Sequence, residues 1–81
     1  MIMNIKTPSG NSTINTKNID AVFFQMKRDK NDKLYKRNGA YVVDRTNIDV
    51  LFSSGHGITI TAVNEEDGQR IYDIISSHIG L

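Results

Sequence analysis

The stretch from Ile58 to Leu81 does most to limit what this chain can fold into, because its hydrophobic period changes once and the point of change is marked. In Ile58-Thr59-Ile60-Thr61-Ala62-Val63, Ile58, Ile60 and Ala62 point one way and Thr59, Thr61 and Val63 the other, the period of a strand with one buried face. Asn64 follows as a helix N-cap. Its side chain can accept from the backbone N–H groups two or three residues on, and Glu65, Glu66 and Asp67 place negative charge at the positive end of the helix dipole. Ile71, Ile74, Ile75, His78 and Ile79 then recur at three- and four-residue spacing, one stripe of an amphipathic helix, with Gly80 where a C-terminal stop belongs. A lone helix of about fifteen residues is marginal in water, so the stripe must lie on a sheet built from the preceding residues.

Those residues read as strands. Ile2 to Thr7 is a first strand with Met3 and Ile5 on one face, closed by the turn formers Pro8-Ser9-Gly10-Asn11, and Thr13 to Thr16 returns antiparallel to it. Lys17-Asn18 makes a corner. Ile19 to Arg28 is the most apolar strand, with Val22, Phe24 and Met26 alternating against Ala21 and Phe23, a pattern that predicts a central strand covered on both sides. Asp29 to Gly39 is polar and charged, a mobile loop or the tip of a long hairpin. Ala40 to Asp44 resumes strand character, Arg45-Thr46-Asn47 reads as a bulge or short break, and Ile48, Val50 and Phe52 then share a face opposite Asp49, Leu51 and Ser53. Ser54-Gly55-His56-Gly57 is a tight hairpin connection whose two glycines are expected to supply positive φ angles.

The fold class that follows is α+β: an antiparallel meander of five or six short strands and one C-terminal amphipathic helix packed on one sheet face. Eighty-one residues make a single domain, 1–81, with a small core. The sequence has no cysteine, which removes disulfides, thiolate metal sites and a thiol nucleophile and fits a reducing compartment. It shows no run resembling a signal peptide or a membrane span, so a soluble, cytoplasmic protein is expected.

The net charge of +1 is unevenly placed. Lys27, Arg28, Lys30, Lys33, Lys36 and Arg37 against Asp29 and Asp32 give a local +4, and four basic against seven acidic residues elsewhere give −3. With Tyr35 among them, these six cations are the candidate binding residues for an anionic partner, able to neutralise phosphates and stack on a base. The plainer reading is a solvated tip whose charges protect strand edges from aggregation. Ser53-Ser54-Gly55-His56-Gly57 could form an anion nest, yet a strand follows it where a phosphate loop requires a helix, so it reads as a hairpin. Ser53 or Ser54, His56 and Asp49 do not make a triad by sequence proximity, and no nucleophile elbow is present; His56 and His78 lack metal-site spacing. No catalytic, metal or cofactor residues are assigned, and no small-molecule substrate is indicated.

One helix covers one face of a sheet. Assigned to Val22, Phe24, Ile48, Val50, Phe52, Ile58 and Ile60, it leaves Phe23, Tyr41, Val43, Leu51 and Val63 as the candidate interface on the opposite face. The order of strands, early basic loop and final helix resembles a reduced pleckstrin-homology-type domain, which implies as the alternative architecture a small curled barrel that buries both faces itself. The expected function is a small non-catalytic interaction module or accessory protein, self-associating as a homodimer through this apolar face or binding another protein there. The alternative is a small nucleic-acid-binding protein that uses residues 27–37.

Overall fold

A computed structural model describes residues 2–7 and 10–79. Strand β1 (Ile2–Thr7) pairs antiparallel with β2 (Gly10–Asn15), burying Met3, Ile5 and Ile14. Pro8 and Ser9 of the expected turn lie outside the described residues. A 3-10 turn (Thr16–Asn18), opened by the Asn15 side chain accepting from the Lys17 N–H, forms the corner into β3 (Ile19–Met26). Two short strands, β4 (Lys36–Arg37) and β5 (Ala40–Tyr41), pair with each other, and the long β6 (Val43–Phe52) and β7 (Gly57–Thr61) complete the strands. Helix α1 (Glu65–His78) ends the fold. The class is α+β with antiparallel pairing throughout; the described residues form seven strands where five or six were expected, because β4 lies inside the polar segment and pairs with β5.

The main sheet has the order β3-β6-β7. Its middle strand is therefore β6; β3 lies at an edge, against the expectation of a central strand. Its apolar character on both sides has another origin: Val22 faces the core, whereas Phe23 stands on the uncovered face at 47% exposure. Among the described residues the sheet does not close, so the curled barrel does not form. The chain is instead elongated, 40 × 24 × 21 Å, with a radius of gyration of 13.2 Å against about 11.7 Å for a compact chain of this length.

Helix α1 lies on β6 and β3. Ile71 and Ile75 are fully buried against Val22, Ile48, Val50 and Ile60, in one core with Met3, Ile5 and Ile14. Each such side chain contributes about 2 kcal/mol by leaving water. The register explains the layer: Ile48↔Ile60 and Val50↔Ile58 face each other across β6 and β7, and Val22↔Val50 and Phe24↔Ile48 across β3 and β6. Ile58, near the sheet's open edge, remains 39% exposed. Tyr72 stacks on Phe24 with ring centroids 4.6 Å apart, a contact that the isoleucine stripe did not foretell. His78 falls on the isoleucine stripe by spacing, where it can pack or favour the negative end of the helix dipole; it does the second, exposed and with its Nδ1 2.9 Å from the Ile74 carbonyl oxygen. Gly80 lies outside the described residues.

The helix begins as expected. Asn64 Oδ1 accepts from the Asp67 N–H at 2.8 Å, and an Asp67 carboxylate oxygen accepts from the Val63 N–H at 3.2 Å. The Arg70 guanidinium, which donates to Asp67, and that backbone N–H hold the Asp67 carboxyl below its ordinary pKa.

Arg45-Thr46-Asn47 is a bulge. Phe24 pairs with Ile48 but the next residue, Gln25, pairs with Asp44, so these three residues have no partners on β3. Asp44 organises them: its carboxylate accepts from the Thr46 N–H at 2.9 Å, the Thr46 hydroxyl at 2.6 Å and the Asn47 side-chain amide at 2.9 Å. Burial raises the pKa of this carboxyl, but the Thr46 and Asn47 hydrogen bonds and the Lys27 charge outweigh it and the net shift is downward. The bulge meets the helix at Gly68, where an added Cβ would collide with the Arg45 carbonyl oxygen. That is why glycine stands inside the helix despite costing about 1 kcal/mol relative to alanine.

Candidate functional site

Two surfaces outside the core carry the candidate residues. The first is the face of the β3-β6-β7 sheet away from the helix. Strand alternation and register put Ala21, Phe23 and Gln25 of β3, Asn47, Asp49 and Leu51 of β6, and Gly57, Thr59 and Thr61 of β7 on it. Its polar residues are bonded in the plane: Gln25 Nε2 donates to Asp49 Oδ1 at 2.7 Å and to Thr59 Oγ1 at 3.0 Å, Thr59 donates to Asp49 at 2.6 Å, and Thr61 donates to Asn47 at 2.9 Å. The sequence signal for this polar ladder is Asn47 and Asp49 at spacing two, opposite Thr59 and Thr61, which the hydrophobic pattern alone passes over.

The large apolar side chains of the face are Phe23, 47% exposed, and Leu51, 38% exposed. Leu51 pairs with Gly57, which has no side chain, so the layer is interrupted there by a shallow hollow lined by Phe23, Leu51, Gly57, Ile58 and Thr59. At about 280 Å³ the hollow falls below the roughly 300 Å³ at which small-molecule pockets begin. It is of a size to receive one side chain.

Of the five expected interface residues, Phe23 and Leu51 are brought together. Val43 is exposed but pairs with Met26, which alternates with Val22 and Phe24 and so belongs to the helix side of the sheet. Tyr41 is on β5, 51% exposed, and Val63 lies beyond β7 beside the helix cap.

The second surface is the projecting arm of residues 27–42. It is no featureless loop. Lys27 N–H donates to the Val42 carbonyl at 2.7 Å, Val42 N–H to Tyr35 at 3.0 Å, and Tyr35 N–H to Lys27 at 2.7 Å, a closed ring of backbone bonds around three chain segments. Beyond the ring are two turns. In one, Asp29 Oδ1 accepts from the Asn31 and Lys33 N–H groups at 2.8 and 3.0 Å. In the other, Asn38 and Gly39 have φ of 53° and 82°, the positive pair of a tight hairpin turn. Lys27, Arg28, Lys30, Lys33, Lys36 and Arg37 are all exposed. Lys27 lies over the Tyr35 ring at 5.9 Å and Lys36 over the Tyr41 ring at 4.6 Å.

The Ser53 to Gly57 segment is a hairpin in which the Phe52 N–H donates to the His56 carbonyl at 2.8 Å and Gly55 N–H to Phe52 at 2.9 Å. Gly55 takes a positive φ of 89°; Gly57 does not and begins β7, because one such residue suffices to reverse the chain here. Among the described residues no hydrogen bond joins His56 to Ser53, Ser54 or Asp49, whose carboxylate is held by Gln25 and Thr59. No helix among them is long and apolar enough to cross a membrane. No protein-family model, curated protein or solved structure matches the chain.

Proposed function

We propose that this protein is a non-catalytic, cytoplasmic interaction module that forms a homodimer through the open face of its three-stranded sheet, around Phe23 and Leu51. The observation that carries this reading is that one face holds both a knob and a hole. The Phe23 side chain is 47% exposed and stands at the rim of the hollow that opens beside Gly57. A two-fold axis through such a face sets each knob against the other copy's hole, the self-complementarity that an isologous interface requires.

Three further features support a second copy as the occupant. The Asp49, Gln25 and Thr59 groups satisfy one another within the face, so covering them strands few donors. A net charge of +1 offers little repulsion between copies. The chain exposes 5663 Å², against about 4,900 Å² for a compact monomer of its mass, an excess that the projecting arm and the open sheet face share.

Sedimentation equilibrium of the wild type and of Phe23→Ser tests the reading. The wild type is expected at twice its 9.1 kDa chain mass and the variant at the chain mass with an unchanged circular dichroism spectrum. A wild type that stays at the single-chain mass throughout a concentration series, or a variant that associates equally well, would overturn it.

A further inference from the structure

We infer that the arm of residues 27–42 is a binding site for single-stranded nucleic acid, with phosphates on Lys30, Lys33, Lys36 and Arg37 and bases stacked on Tyr35 and Tyr41. The site is separate from the sheet face around Phe23 and does not depend on dimerisation.

The charge argument is sharper in the structure than in the sequence. The two acidic residues that interrupt the basic run are turned to local use. Asp29 is the acceptor of its own turn, and Asp32 lies 3.9 Å from the Arg28 guanidinium, which also donates to the Asp32 carbonyl at 3.0 Å. Among the described residues no ion pair is formed by Lys30, Lys33, Lys36 or Arg37. The rest of the chain has a net charge of −3, so a polyanion is attracted to the arm and repelled elsewhere.

Geometry adds preorganisation. The ring of bonds through Lys27, Tyr35 and Val42 fixes the base of the arm, and the Asn38-Gly39 turn fixes its end, so its cations are presented on an ordered frame. The tyrosines select the kind of nucleic acid. Tyr35 is 37% and Tyr41 51% exposed, and each stands beside an ammonium group, the combination of a π face and a cation that a base and its phosphate require. In a duplex the base faces are covered by their neighbours; in a single strand they are free to stack.

The test is fluorescence anisotropy of a labelled oligothymidylate titrated with the full chain at several salt concentrations. The wild type is expected to bind with an affinity that falls steeply with salt. Replacing Lys33, Lys36 and Arg37 together by Gln is expected to flatten the logarithmic salt slope by about 2, since each single-strand phosphate contact accounts for about 0.7. Tyr41→Ala is expected to weaken binding at least about fivefold, and Tyr41→Phe, which keeps the ring, to leave it near wild type. No binding at about 100 μM protein and low salt, the weak limit of non-specific nucleic-acid affinity, would overturn the inference. So would equal salt slopes for wild type and the triple Gln variant, or equal affinity for duplex and single strand with no effect of Tyr41→Ala.

Discussion

The bulge at Arg45-Thr46-Asn47 interrupts the β3–β6 pairing and the arm at residues 27–42 connects the same two strands beyond their last pair, Met26 with Val43; both are polar, and the fold uses them in opposite ways. At the bulge the polar groups are held by fixed counterparts: Asp44 receives three hydrogen bonds, Thr46 O accepts from Ala62 N–H at 2.6 Å, and the helix backbone comes down onto Arg45 at Gly68. In the arm the backbone is bonded and the charged side chains are exposed, and among the described residues only Arg28 and Asp32 form an ion pair there. Polar residues that are mutually satisfied and covered define the fold; polar residues that are ordered but uncovered are left for a ligand. Substitutions at the two places should therefore differ sharply in what they cost.

The largest effect is expected where the helix and sheet meet. Ile75→Ala, at a fully buried position, should lower unfolding free energy in urea by about 4 kcal/mol, a large part of the stability of so small a domain. Gly68→Ala should follow at about 3 kcal/mol, because the new methyl meets backbone and not a movable side chain. A Gly68→Ala melting temperature at or above wild type would mean that the close contact with the bulge does not exist in solution.

Asp44→Asn should cost about 1 kcal/mol at neutral pH, where the carboxylate holds its three donors. The folded-state pKa of Asp44 is depressed, so its contribution is present above the unfolded value near 4 and is lost as pH falls through the lower folded value. Thermal melts of the two proteins should accordingly converge in acid. A constant difference down to the most acidic melt would show that the ionised form is not what the bulge uses.

The smallest effect belongs to the arm. The triple Gln variant at Lys33, Lys36 and Arg37 should change the melting temperature by no more than about 3 °C, because exposed charges that form no ion pair among the described residues add little to stability. Hydrogen exchange refines the contrast within the arm: the Tyr35 and Val42 amides, bonded in the ring, should exchange much more slowly than that of Lys30. Equal rates at all three would dissolve the ring.

The helix and its cap were legible because Asn64, the acidic first turn and the isoleucine spacing are local signals with one physical meaning each. The bulge was legible as a break, since Asp44 and Asn47 disturb an otherwise alternating strand. Strand order was not. Phe23 makes β3 look buried on both sides, and only the pairing of β6 with both β3 and β7 shows that β3 is an edge. His78 fits the helical spacing by number, but its ring is exposed and turns to the Ile74 carbonyl, while Ile79 beside it packs on the core. For the sheet face, Phe23 and Leu51 were readable by alternation, while Val43 was misplaced because the bulge resets which side of the sheet its neighbours face.

The division of labour between the sheet face and the arm is tested most directly by amide NMR spectra of the wild type over a dilution series. The account predicts concentration-dependent shifts at Phe23, Asp49, Leu51, Gly57 and Thr59, and unchanged positions from Lys30 to Gly39. Shifts confined to the arm, or none anywhere across the series, would contradict it.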